Sequence, residues 1–176
     1  MAFNEMAAPK VPVKYFKIYM DVSGSKEGSP EWELQGRGVQ SWTLDENESV
    51  EKNPDVLGFV DIQRGIPQPQ QSGVRVNIRK GSKFGELLFN AWLSGEKSSL
   101  DALNILQKFE FVDGADKETC VARLEKEVLI EITSFEGEAN NYLAFVCNFH
   151  YTNNREIGTM PKKDGTSITF TPNSGV

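Results

Sequence analysis

The chain has 176 residues, 39% of them hydrophobic and 10% aromatic, which suits one domain with a substantial core and excludes a wholly disordered chain. Nineteen Lys and Arg face 25 Asp and Glu, a net charge of −6, which argues against the strongly basic surface by which nucleic-acid-binding domains neutralise phosphates. No apolar run reaches the roughly 18 residues needed to cross a bilayer, and no basic segment followed by an apolar one opens the chain. A soluble protein that is not exported by a classical signal is expected.

Residues 1–12, with prolines at 9 and 12, are expected as a flexible arm. From Val13 the segment Lys14–Val22 alternates, with Phe16, Ile18, Met20 and Val22 on one face and Tyr15, Lys17, Tyr19 and Asp21 on the other, which predicts a first strand. A Gly/Ser-rich loop follows. Trp32, Leu34, Trp42 and Leu44 are strand material, and Gly36 and Gly38 mark a bend. Asp45–Asp55 is acidic and turn-rich and reads as an exposed loop.

Val56, Val60 and Ile62 then alternate with smaller or polar residues, as do Val74, Val76 and Ile78 with Arg75, Asn77 and Arg79. A hairpin of these two segments is the simplest reading. Their connection holds Pro67, Gln68, Pro69, Gln70 and Gln71; it lacks two backbone donors and has little apolar surface, so it is expected to project into solvent or onto a partner. Phe84, Leu87, Leu88, Ala91 and Trp92 recur at helical spacing behind Ser82 and before Gly95, predicting a short capped helix.

After a loop with a brief turn near Ser99 or Asp101, Ile105–Val112 returns to strand character. Cys120–Phe135 is the longest β signal, placing Leu124, Val128, Ile130 and Ile132 on one face and Glu125, Glu127 and Glu131 on the other. Unpaired buried carboxylates are costly, so the glutamate side is expected to face water. Asn141–Tyr151 pairs with it through a turn at 136–140, and a last short strand is expected around Ile168 and Phe170. The expected whole is mainly β, a sandwich or barrel-like body at 13–171 with one flanking α-helix, long loops and a polar tail at 172–176.

Chemistry is sparse. His150 is the only histidine, so a multi-His metal site is excluded within one chain. Cys120 and Cys147 lack Cys-x-x-Cys spacing and are expected as buried free thiols in a reducing compartment. The chain lacks a nucleophile elbow, a Walker loop and a strand-linked dinucleotide fingerprint, and the glutamate spacing is what an exposed strand gives by default. The expectation is a protein without enzymatic activity, metal or cofactor, acting by structure or binding.

The order of an early strand, an acidic loop, Asn53-Pro54-Asp55-Val56-Leu57-Gly58, a strand, a Gln/Pro-rich connection, a strand, then Lys80-Gly81-Ser82-Lys83-Phe84-Gly85-Glu86-Leu87-Leu88 opening a helix resembles the major tail proteins, or tail tube proteins, of long-tailed bacteriophages and prophages. The resemblance covers residues 42–94 in detail and the remainder only in strand order and size; Gln68–Gln71 departs from the more aromatic or acidic residues expected there. It implies a β-sandwich with a flanking helix, assembled as hexameric rings that stack into a hollow tube within the virion. The tape measure protein and then DNA occupy the lumen, a tail terminator closes the tube, and no membrane is involved. Strands join across subunit boundaries, so exposed sheet edges become assembly surface.

Under that resemblance an acidic lining lets DNA slide without binding, which makes Glu110, Glu125, Glu127 and Glu131 the candidates for the lumen face. Asp45, Glu46, Asn47, Glu48, Glu51 and Asp55, with Pro67, Gln68, Pro69, Gln70 and Gln71, are the candidates for ring stacking. Two other readings compete. A carbohydrate-binding or adhesion module would use Trp32, Trp42 and exposed tyrosines as a sugar platform. A tail terminator, or the tube of a contractile tail or tail-like bacteriocin, would share the fold.

Overall fold

The computed structural model describes residues 3–7, 10–23, 29–35, 43–54, 57, 60–137, 142–163 and 168–173. Its strands in chain order are β1 (Phe16–Asp21), β2 (Trp32–Gln35), β3 (Val50–Pro54), β4 (Val60–Arg64), β5 (Gln70–Asn77), β6 (Leu103–Asp113), β7 (Thr119–Glu136), β8 (Ala144–His150), β9 (Arg155–Pro161) and β10 (Thr171–Pro172), with one helix, α1 (Lys83–Ser94). One antiparallel sheet runs β10-β9-β7-β6-β1-β2, and β8 joins it on β7 and carries β5 on its other side. The sheet does not close into a barrel. β3 and β4 form a separate two-stranded ribbon.

β7 organises the sheet because its 18 residues serve two sets of neighbours. Its first half pairs with β6 and β9, and Leu129–Glu136 pairs with β8. Between the halves the register with β6 jumps from Ile105↔Glu125 to Leu103↔Val128, one extra residue on β7, and Glu127 there has a φ of 56°. A bulge of this kind reverses which face the following residues take. Cys120 and Ala122 accordingly point to a small cluster with Tyr19, Leu106 and Met160, onto which Trp32, Leu124, Ile168 and Phe170 pack. Val128 and Ile130 point the other way, into the main core.

That main core draws on both wings of the sheet: Ile18, Met20, Leu103 and Ile105 from one, Val74, Val76, Phe145, Cys147 and Phe149 from the other. α1 covers it with Phe84, Leu88 and Ala91. The helix begins where expected. Ser82 Oγ accepts from the Gly85 amide at 3.1 Å, and Glu33 of β2 accepts from Ser82 Oγ at 2.9 Å and from the Phe84 amide at 2.7 Å, filling two donors that the helix leaves open. It ends on Gly95 at φ 75°, a left-handed cap in which glycine carries no Cβ penalty.

Strand pairing differs from the sequence expectation. β4 does not pair with β5; it pairs with β3, inside the segment read as an acidic loop, while β5 pairs with β8. Period-2 alternation marks a residue's face but not its partner strand, and the partner of β5 lies far along the chain, Asn77 opposite Ala144 and Gln70 opposite His150. β9 was not foreseen, since Arg155, Glu156, Gly158 and Pro161 have weak strand character; it is held by a seven-residue ladder to β7 that buries Met160. Ile168 and Phe170 pack on the small cluster without strand structure, and the final pairing is β10 on β9. The brief turn expected near Ser99 or Asp101 is a 3₁₀ turn at Ser98–Leu100, and its fully buried Leu100 anchors the segment.

Candidate assembly surfaces

The ribbon is the first surface of interest. β3 and β4 pair over five residues, Val50↔Arg64 to Pro54↔Val60, a span of about 17 Å. No other described strand or helix is ladder-bonded to it. Its root is built by Asp45 and Gln70, whose backbones exchange bonds of 3.0 and 2.9 Å, by Asn47 Nδ2 donating to the Gln68 carbonyl at 3.1 Å, and by an Arg64–Glu48 ion pair at 3.0 Å. Val50, Leu57 and Ile66 are exposed at 52%, 78% and 81%. An isolated two-stranded ribbon is marginal in water, and one that displays large apolar side chains is a surface suited to a partner.

The two segments nominated for stacking thus meet, but not as two free loops. Asp45, Glu46, Asn47 and Glu48 lead into the ribbon, and Glu51 lies within β3. Asp55 falls outside the described residues. Pro67 and Gln68 close the root, with the Pro67 carbonyl accepting from Asn153 Nδ2. Pro69 and Gln71 do not project: both are buried, the Tyr151 amide donates to the Pro69 carbonyl at 3.1 Å, and Tyr151 Oη donates to Gln71 Oε1 at 3.2 Å. Gln70 and Gln71 open β5 opposite His150 and Phe149. A buried aromatic hydroxyl needs a polar partner, and a glutamine in the connection supplies it.

The glutamate comb separates in the same way. Glu127 and Glu131 are exposed, Glu131 accepting from Asn148 Nδ2 at 3.0 Å and lying 3.3 Å from His150 Nε2. Those hydrogen bonds hold the Glu131 carboxyl below the ordinary range. Glu125 is 1% exposed, and the bulge at Glu127 is the reason: Glu125 sits on the main-core face opposite Ile105, not on a wet one. Arg123 Nε lies 2.8 Å and Arg155 Nε 3.6 Å from its carboxylate, and Arg123 also donates to Gln107 Oε1. Burial raises the Glu125 carboxyl above its ordinary value, against the pull of the two guanidinium groups. Glu110 is also buried, at 2.8 Å from Lys17 Nζ and 3.1 Å from Lys108 Nζ. Neither Glu110 nor Glu125 offers a carboxylate to solvent in this chain.

The C-terminal half of α1 is a surface that the sequence reading treated only as part of an apolar stripe. Leu88 and Ala91 face the core, while Phe89, Trp92 and Leu93 are exposed at 37%, 43% and 66%. Trp92 is held in place by Phe135 at 4.8 Å, Phe89 at 6.0 Å and Phe145 at 6.2 Å between ring centroids. Among the described residues there is no group of three His, Cys, Asp or Glu side chains able to hold a metal, and no helix long and apolar enough to cross a membrane. Cys120 and Cys147 are buried free thiols. Trp32 packs on the small cluster, and Trp42 lies outside the described residues.

No protein-family model and no curated protein matches the chain. Solved structures do. The chain superposes on the sheath/tube terminator of an extracellular contractile injection system, PVC, in its extended state, with a TM-score of 0.51 and 12% identity over 87% of this chain and 98% of that one. What is shared is the fold. Lower scores are found for the PVC sheath-tube complex in its extended state (TM-score 0.46, 13% identity, 92% of this chain and 99% of that one) and for the anti-feeding prophage (AFP) baseplate (0.45, 9%, 85% and 94%).

Proposed function

We propose that this chain is a structural subunit of a phage-tail-like particle, assembling with copies of itself as hexameric rings that stack into a tube. The observation that carries this reading is the β3–β4 ribbon, which has no other described strand paired along it and has Val50, Leu57 and Ile66 exposed on it or at its ends. Among the described residues, the sheet margins at β2 and, beyond the Asp45 bridge at Gln70, at β5 carry no further strand, and a ring of identical copies would cover them. The fold shared with a sheath/tube terminator supports the same class of particle. In this role the subunit acts by geometry and surface charge and has no catalytic task, with the tape measure protein and then DNA passing through the lumen. Glu127 and Glu131 are the glutamates of the comb able to face it.

Negative-stain electron microscopy of concentrated protein tests the reading directly. Six-fold rings and tubes are expected. A protein that remains a monodisperse monomer at every concentration, or that binds a glycan in that state, overturns it. The likeness to a terminator also supports a second reading, a ring that closes a tube rather than lengthens it. Rings that never stack would favour that second reading.

A further inference from the structure

The ribbon meets the body through two legs, residues 45–49 on the way in and 65–70 on the way out, and the turn between β8 and β9 holds both. On the outgoing leg, Asn153 Nδ2 donates to the Pro67 carbonyl and the Tyr151 amide donates to the Pro69 carbonyl. On the incoming leg, Arg155 Nη2 lies 3.8 Å from Glu46 Oε2. The two grips are joined, because Arg155 Nη2 also donates to Asn153 Oδ1 at 3.3 Å. Arg155 Nε lies 3.6 Å from the buried Glu125 carboxylate, so the guanidinium is held from inside the body as well as from the root.

The turn is itself seated on the β7 bulge. The Lys126 amide donates to the Asn154 carbonyl at 2.8 Å, Thr152 Oγ1 to the Lys126 carbonyl at 3.0 Å, and Asn154 Nδ2 to Glu127 Oε2 at 3.1 Å. Each side of this seat carries a left-handed residue, Glu127 at φ 56° and Asn153 at φ 64°. Residues of this kind persist only where their surroundings over-determine the backbone, and they gather at clamps and switch regions. Asparagine tolerates the conformation and glutamate does not favour it, so the strain sits at Glu127 and the grip on the root at Asn153.

A two-stranded ribbon on two chain legs would swing, and freezing that swing on docking costs free energy that a ribbon aimed beforehand does not lose. We propose that the β8–β9 turn is a clamp that aims the ribbon at the neighbouring subunit before assembly, with Asn153 and Arg155 as its positioning residues. The ribbon's partner rests on the stacked-ring reading; the clamp adds what sets the ribbon's direction. An exposed pair between Arg155 and Glu46 alone would contribute little. The clamp holds because Arg155 is also paired with a carboxylate shut off from water, and because Asn153 bonds both to the root and to Arg155.

Asn153→Gly keeps the left-handed backbone and removes both side-chain bonds, and Glu46→Gln removes the charge from the incoming leg at an exposed position. Spin labels at Lys52→Cys on β3 and Lys117→Cys on the β6–β7 turn, both exposed, read the ribbon's direction in dilute, unassembled protein as a distance distribution. The parent is expected to give one narrow peak, and the variant combining Asn153→Gly with Glu46→Gln to lose it to a broad one. Ser82→Ala, which removes the cap of α1, is expected to lower the melting temperature and leave the peak narrow. Without labels, the combined variant is expected to need about fivefold more protein than the wild type to form rings and tubes. A broad distribution in the parent, a peak that stays narrow in the combined variant, equal broadening by Ser82→Ala, or assembly of the combined variant at the wild-type concentration would overturn the clamp. Wild-type protein that forms neither rings nor tubes would overturn the stacked-ring reading, while the distance distributions still decide whether the turn sets the ribbon's direction.

Discussion

Glu125 shows how a single residue changes meaning once its neighbours are known. As part of a comb of three glutamates it reads as solvent-facing; in the fold it lies on the core face between Arg123 and Arg155, with its carboxyl raised by burial. A carboxyl that protonates above its ordinary 4.5 favours the folded state when neutral, so its contribution is complete below about pH 4.5 and is lost as pH rises through the folded value. The stability of the wild type relative to Glu125→Gln should therefore fall as pH is raised from 4.5 and then level, as read by urea denaturation at a series of pH values. A relative stability that climbs over that window would contradict the assignment. Glu125→Lys, which would suit a wet face, should instead unfold the chain, because it puts a third cation beside two guanidinium groups in a buried site. The thiols give a parallel test. Burial pushes Cys120 up to about 11 and Cys147 up to about 12, so at neutral pH both are protonated and covered. A thiol reagent should label them only as fast as the chain opens, and labelling that is fast in native buffer would rule this out.

At the scale of elements, what could be read from the sequence was what is local. Ser82, Gly95 and the stripe from Phe84 to Trp92 fix α1 to within a residue, because caps and helical spacing act over a few positions. The strands β1, β6, β7 and β8 were legible from alternation. Two things were not. Glu127 carries no mark in the sequence of the bulge it makes, since glutamate is not a residue that favours a φ of 56°, and the parity of everything before it was therefore inverted. Glycine is at home in that region and a β-branched residue is not. Glu127→Val should accordingly cost more stability than Glu127→Gly, by about 1 kcal/mol, measured by chemical denaturation. Equal effects would mean that the bulge relaxes. The second illegible feature was strand partnership: β4 and β5 have equally good alternation, and only the whole fold decides that one pairs with β3 and the other with β8.

For the whole molecule, the parts of the candidate site that were foreseen and those that were not have one cause. Segments 45–55 and 67–71 stood out by composition, and they do meet at one root, but Pro69 and Gln71 are needed inside the body to satisfy Tyr151, which composition does not show. Removing Gln68–Gln71 would therefore take away the start of β5 as well as any contact, so it is a poor test of assembly. The ribbon proper is the better handle. Its amides are bonded chiefly to each other, Val50 and, beside the strands, Leu57 and Ile66 are exposed, and among the described residues its root is tied to the body at Asp45, at Asn47 and by the Glu46–Arg155 pair. Under the proposed assembly a subunit of this shape is completed by its neighbours, and that completion would be measurable as protection. Hydrogen exchange at the β3 and β4 amides, followed from dilute to concentrated protein, measures that completion most directly. Fast exchange when dilute, slowing by orders of magnitude as rings and tubes appear while the β6–β7 amides stay slow throughout, is the predicted result; ribbon amides that exchange at one rate across the whole range would contradict it.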